Sequence, residues 1–454
     1  MRVGFRGQHS RGAWWSSRWA VAAAVAVVVG GATAGIAAAT SGPSASEVRA
    51  EKARLAAAEA RAAEAARKAE IARLLAAVSI TPRPGASGVL PSTPVTVVST
   101  YGSLSSVLVS AGNSQLTGDM TPDHYKWTSA GELAPGTVYS VTATVTGPHG
   151  VEARQVASFT TLKAALTVTN TLFPYGGMTV GVGEPVIVKF NHAITSDAAR
   201  QSVLSHFSIT ESNPVPGGWH WFSPYELHFR PQSYWPTGEK VTVTSDLNGW
   251  NAGGDRWGTG QVTASFVIGD SHVSVANLQS ERMTVYLNGK AIATYPISGG
   301  RPQYPTMAGT HIVMDKEHVV HMVSSTVGIP VKSPNGYDEY VYNDVHISDS
   351  GEYVHDAPWS VGSQGRTNVS HGCVNLGPND SLAFFNFSEI GDIVQIVGSA
   401  RPAVAGDHGV MDWTTDWSQW TPFAVTPAPG ATTTTTPSPS TTAPTSTTAA
   451  PAHV

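Results

Sequence analysis

A two-residue alternation of apolar and polar side chains, present in two matching copies, constrains this chain more than any other feature. Tyr139-Ser140-Val141-Thr142-Ala143-Thr144 and, further on, Val241-Thr242-Val243-Thr244 send every second side chain to one face. That is the pattern of a strand with one buried side. The copies also share their surroundings. Tyr125-Lys126-Trp127 and then Pro135-Gly136 precede the first run, which closes on Gln155-Val156-Ala157-Ser158-Phe159. His228-Phe229-Arg230 and then Pro236-Thr237-Gly238 precede the second, which closes on Gln261-Val262-Thr263-Ala264-Ser265-Phe266. The offset of about 100–107 residues is the length of one two-sheet sandwich.

The expected fold class is therefore mainly β, with immunoglobulin-like sandwiches over residues 80–163 and 164–269. Neither contains a cysteine. The single cysteine of the chain, Cys373, excludes an intrachain disulfide framework and a cysteine-based zinc finger. Trp219, Trp221 and Tyr225 read as core aromatics in preference to a sugar platform. The chain has 454 residues, room for about three domains. Charged residues are only 13%, with 45 Gly and 30 Pro, which suits β-rich extracellular modules. A net charge of −5 gives no sign of a nucleic-acid partner.

Residues 270–398 form a third unit. Asn288-Gly289 joins the runs Met283–Leu287 and Ala291–Tyr295 and predicts a tight hairpin. A short helix is expected from about Asp380 to Phe387, with Asn379 or Asp380 as its cap. Residues 399–425 carry Trp413, Trp417 and Trp420 and read as a flap packed on another domain. Residues 426–454, rich in Thr and Pro, bury too little to fold.

The N-terminus sets the compartment. Residues 1–18 contain Arg2, Arg6, Arg11 and Arg18, and residues 19–39 carry no charge. About 20 apolar residues span a bilayer, and the upstream arginines keep residues 1–18 cytoplasmic. We read 19–39 as a signal anchor, with a signal peptide cleaved after Ala37-Ala38-Ala39 as the rival. Either way the rest of the chain is exported, and an anchored chain sits in the cell membrane with its later domains in the envelope. Residues 46–75, rich in Ala, Glu and Arg, read as a helical stalk.

Cys373 lies in Ser370-His371-Gly372-Cys373-Val374-Asn375. A cysteine in isolation reads as a small buried residue. Here Gly372 permits close backbone approach, and two histidines are candidate bases for making thiolate. His371 is two residues away. His355 is fifteen residues before Ser370 and is followed by Asp356, whose carbonyl or carboxylate would fix the imidazole tautomer. Successive amides of His371, Gly372 and Cys373 would form an oxyanion hole.

His355 followed by Ser370-His371-Gly372-Cys373 resembles the L,D-transpeptidase catalytic domain of the YkuD type. Ala357-Pro358-Trp359-Ser360-Val361-Gly362, Ser333-Pro334-Asn335-Gly336-Tyr337 and the Trp-rich end extend the likeness over about residues 270–424. The tandem sandwiches resemble the architecture of mycobacterial-type members. The resemblance implies an enzyme without a cofactor or metal, acting on peptidoglycan stem peptides. Cys373 would attack the L-centre carbonyl of diaminopimelate in a donor tetrapeptide, and an acceptor stem's amine would resolve the thioester into a 3→3 cross-link. His355 would be the base, with Asp356 as third member and Ser370, His371 and Gly372 in the active-site loop. Met322, Tyr337, Trp359 and Asn375 would line the substrate pocket, and carbapenems would acylate Cys373.

Two positions depart from the family pattern. Asp356 stands where Ser is common, and Val327 where an aromatic is frequent. His318 and His321 read as strand residues on opposite faces, not zinc ligands. The rival functions are an L,D-carboxypeptidase on tetrapeptide stems and an inactive cell-wall-binding protein. Cysteine peptidases of the NlpC type place Cys before His, the reverse of the order here.

Overall fold

The computed structural model describes residues 43–420. The predicted segments 1–18, 19–39 and 426–454, and residues 421–425 of the Trp-rich segment, lie outside the described residues. Among the described residues no helix is long and apolar enough to cross a membrane. Two compact units are present, one up to Arg67 and one from Lys68 onward.

A 32-residue helix runs over Ala45–Ala76. Its start is a capping box. The Ser44 amide donates to Glu47 Oε2 at 2.8 Å, and the Glu47 amide donates to Ser44 Oγ at 3.3 Å. Its last turns belong to the larger unit. There Leu74 is fully buried in the first sandwich core, and Arg73 lies 3.7 Å over the Tyr101 ring.

The first sandwich pairs one four-stranded sheet, ordered Val78–Thr81, Thr96–Ser99, Lys126–Ser129 and Gly118–Met120, with another, ordered Ser114–Leu116, Ser103–Ala111, Val138–Thr146 and Glu152–Thr160. The alternation read at Tyr139–Thr144 holds. Tyr139, Val141, Ala143 and Val145 are buried, and the residues between them are not. Trp127, Val141 and Phe159 meet between the sheets, each burial contributing roughly 1.5–3 kcal/mol. The second sandwich repeats the plan around Trp219, Phe229, Val241, Val243 and Phe266. Trp219 and Trp221 are core residues, while Tyr225 is exposed. This core continues into the third unit through Ile312 and Ile393.

The third unit has a five-stranded sheet ordered Lys290–Pro296, Arg282–Leu287, His272–Asn277, Ile393–Val397 and Gly309–Ile312. Its four-stranded sheet is ordered Asp315–Val323, Asp338–Ser348, Glu352–Asp356 and Val374–Leu376. Asn288 and Gly289 both take positive φ, 50° and 77°, as the hairpin requires. The helix spans Pro378–Phe387, two residues longer at its start than expected. Gly377 is its N-cap, with no side-chain cap bond, so neither Asn379 nor Asp380 caps it. Proline at the first helical position loses no bond, because that amide has no intrahelical partner.

The Trp-rich segment folds as the short helices His408–Thr414 and Trp417–Trp420 against the second sandwich. Trp413 and Trp420 donate their indole N–H groups to the carbonyls of Gly183 and Gly218 at 2.7 and 2.9 Å. Arg230 lies over the rings of Trp413, Trp417 and Trp420 at 4.5–5.0 Å.

Candidate active site

The site is built on the four-stranded sheet. Val345, Val354 and Val374 pair across three strands and point into the core. The pleat turns their neighbours to the other side. There His355 pairs with Asn375, and Cys373 immediately precedes the strand that carries Asn375. The histidine is thus carried by one strand, and the cysteine ends the loop that leads into the parallel strand beside it.

His355 is 4% exposed, and its Nδ1 lies 2.8 Å from the backbone carbonyl oxygen of Asp356. A carbonyl only accepts, so Nδ1 carries the proton and Nε2 keeps its lone pair. Burial pulls the imidazole down to about 4, so it is neutral. The contact is the carbonyl of Asp356, not its carboxylate, so the tautomer does not depend on a serine at this position.

Cys373 is half-buried, its Sγ 3.9 Å from the carbonyl oxygen of Gly351. Burial pushes the thiol up to about 12; the Tyr353 amide facing it works the other way, and Glu352, Asp344 and Glu339 add to the rise. At rest the pair is a neutral thiol and a neutral imidazole.

Ser370 shapes the loop around the cysteine. Its hydroxyl donates to the Cys373 carbonyl at 2.6 Å and accepts from the Gly372 amide at 3.1 Å. Gly372 has φ +137°, a conformation that other residues rarely adopt. The expected run of three oxyanion donors is corrected here, because the Gly372 amide is committed to Ser370 inside the loop.

The side chain of His371 is engaged elsewhere. Arg301 Nη2 lies 2.5 Å from His371 Nε2, and a guanidinium only donates, so that nitrogen has no free lone pair. Burial and then Arg301 lower its pKa. Of the two candidate bases, only His355 keeps a nitrogen open.

The four expected pocket residues separate. Tyr337 is half-buried near the cysteine, its hydroxyl pushed up to about 12 by burial and then by Cys373. Trp359 is exposed, its ring centre 6.2 Å from that of His355. Met322 is half-buried opposite Glu339 on the neighbouring strand. Asn375 requires correction. It is 3% exposed, and its amide donates to Ser360 Oγ at 3.0 Å, bracing the turn after His355 instead of lining a pocket. Val327, 44% exposed, packs near Gly351. His318 packs at a tilt against Phe385, whereas His321 stacks on Tyr340 and bonds Asp338.

Three site residues were missed in the sequence reading. Tyr353 lies two residues before His355 on one strand, a signal that period two carries. Glu352 is buried, pairs with Arg401 at 2.7 Å and accepts the Met307 amide at 2.9 Å. Arg301 reaches the loop because Gly300 bridges to Ser370. Nothing in the sequence signals either of these long-range pairings.

A family model for the L,D-transpeptidase catalytic domain matches residues 271–396, and one for a bacterial Ig domain matches residues 86–251, across both sandwiches. L,D-transpeptidase 2 of Mycobacterium tuberculosis (strain CDC 1551 / Oshkosh) is 36% identical over 74% of this chain and 82% of that protein. L,D-transpeptidase 5 of Mycobacterium tuberculosis (strain ATCC 25618 / H37Rv) is 29% identical over 78% of each. A solved L,D-transpeptidase in complex with imipenem is 35% identical, with a TM-score of 0.45, over 51% of this chain and 99% of that one. The chain belongs to the L,D-transpeptidase family.

Proposed function

We propose that this chain is a peptidoglycan L,D-transpeptidase that forms 3→3 cross-links through a thioester on Cys373. One observation carries the reading. His355, its tautomer fixed by the Asp356 carbonyl and its Nε2 open, stands on the strand beside the one that Cys373 leads into. As the sulfur attacks the L-centre carbonyl of the donor's diaminopimelate, the thiol proton passes to His355 Nε2. The Cys373 amide is the donor we assign to the developing oxyanion. When the C–N bond breaks, His355 returns that proton to the leaving D-alanine amine, and the thioester remains. The acceptor amine then attacks the thioester and gives up a proton through His355. The thiol is restored as the amide forms.

Tyr337 and Trp359 flank the entry on this reading, and carbapenems acylate the same sulfur. We also read residues 19–39 as an anchor that holds the enzyme on the outer face of the cell membrane, on the strength of the four upstream arginines. The test is intact mass of the full chain with a carbapenem, for wild type and Cys373→Ala, followed by disaccharide-tetrapeptide as both donor and acceptor. One adduct on wild type alone, and a dimeric product that has lost one D-alanine, is the expected result. D-alanine release with no dimer makes the enzyme a carboxypeptidase. No adduct on folded wild type refutes the reading.

A further inference from the structure

Arg301 stands beside the catalytic loop with part of its hydrogen-bonding capacity unused. Its amide donates to the Ser370 carbonyl at 3.0 Å, fixing the backbone against the loop. Its Nη2 donates to His371 Nε2 at 2.5 Å and to Asn335 Oδ1 at 3.1 Å, and the guanidinium lies 5.0 Å from the Tyr304 ring centre. A guanidinium has five N–H donors, and these two bonds leave three. Among the described residues Arg301 has no carboxylate partner. The contrast with Arg401 is direct, since Arg401 is paired with Glu352 at 2.7 Å.

The charges around the cysteine give this arginine its meaning. The groups whose field bears most on Cys373 are Glu352, Asp344 and Glu339, all acidic. A stem peptide approaching Cys373 ends in a free carboxylate, and none of these three groups offers it a positive charge. A half-buried cation held by neutral partners is suited to bind an anion, and the guanidinium fork matches a carboxylate.

We propose that Arg301 binds the free C-terminal carboxylate of the acyl donor, on the residue that leaves, and so sets Cys373 to act one residue in from an open chain end. This rests on the reading of Cys373 as nucleophile. His371 acts here as a positioning residue, since its neutral ring holds the guanidinium in place.

The experiment compares two tetrapeptide donors on the full chain, one ending in D-alanine and one in D-alaninamide, by kcat/KM for release of the last residue. Wild type is expected to favour the carboxylate by about 10- to 100-fold, the range of a charge-assisted pair. Arg301→Gln should bring the two donors within about threefold of each other, mainly through KM for the carboxylate form. Arg301→Lys, which keeps the charge but not the fork, should retain part of the preference. Labelling of Cys373 by neutral iodoacetamide reports on the site without carboxylate recognition. A preference that persists in Arg301→Gln overturns the proposal, as does equal release of both donors by wild type. No release from either donor by wild type overturns the nucleophile reading and this one with it.

Discussion

A resting neutral pair of Cys373 and His355 makes a quantitative prediction about the free enzyme. An ordinary thiol, with a pKa of about 8.5, is about one-tenth ionised at pH 7.5. With the Cys373 thiol pushed up to about 12, chiefly by burial, the thiolate fraction falls to the order of 1 in 30,000. A more basic thiolate is a better nucleophile. At a Brønsted slope of about 0.4–0.5, roughly 3.5 units recover about 25- to 50-fold. Labelling by iodoacetamide should therefore be about 100-fold slower than for a short cysteine peptide at pH 7.5. The rate should climb about tenfold per pH unit through pH 9, with no plateau at low pH. Rates read by intact mass from pH 6 to 9 decide the matter. Labelling as fast as the peptide, or a flat rate below pH 7, would mean a preformed thiolate–imidazolium pair and refute the reasoning. A neutral resting pair also requires that the base act during acylation, so His355→Ala should lower carbapenem acylation by about 10²- to 10⁴-fold.

Three further outcomes follow from the geometry. Ser370→Ala leaves the Gly372 amide and the Cys373 carbonyl without their shared partner. Each orphan costs about 1–3 kcal/mol, so acylation should fall at least tenfold while circular dichroism is retained. His228 is fully buried between Asp412 at 2.9 Å and Glu226 at 3.0 Å. Burial lowers its pKa, but the two carboxylates outweigh burial and carry it to about 9. The stability it contributes is therefore whole below about pH 6.5 and lost as pH rises through 9. The melting temperature should fall over that window in wild type. His228→Ala, which strands the Asp412 carboxylate and takes one partner from Glu226, should cost about 3–5 kcal/mol at pH 6 and remove that alkaline fall. His355 titrates in the opposite sense. Its pKa is held down to about 4, so its contribution is present above about 6.5 and lost as pH falls toward 4, visible as acid destabilisation weakened in His355→Ala.

Much of the fold was legible because strand burial follows a local period. Val141, Ala143, Val243 and Phe266 announce their faces without reference to anything distant. The Asn288-Gly289 hairpin is equally local. The helix start was misplaced because Asn379 and Asp380 look like caps, while Pro378 at the first helical position moves the boundary back. At the site, His355 and Cys373 were legible as a motif, but their division of labour was not. His371 is the nearer base in sequence. It is disqualified by an arginine 70 residues away, which no local pattern reports. Asn375 was misjudged for a related reason. Its side chain is claimed by Ser360, across a turn whose closure the sequence does not show.

Burial, with the nearby acids adding to it, holds the thiol protonated and slows its ionisation, yet the same surroundings protect it. Oxidation begins at the thiolate, and a sulfenic acid is rescued most directly by condensing with a second thiol. This chain has no second cysteine, so that internal rescue is closed to Cys373. A site that ionises its nucleophile only as substrate arrives keeps the oxidisable form scarce for the rest of the time. Of the acids that raise the Cys373 thiol, Glu352 has the largest effect. Removing its charge in Glu352→Gln should lower the thiol pKa, quicken iodoacetamide labelling severalfold at pH 7.5 and quicken inactivation by hydrogen peroxide in proportion. The same change breaks the bond to Arg401, so it should also lower the melting temperature. If labelling quickens while peroxide sensitivity does not, thiolate scarcity is not what guards the cysteine. If neither changes, the Glu352 charge does not reach the sulfur.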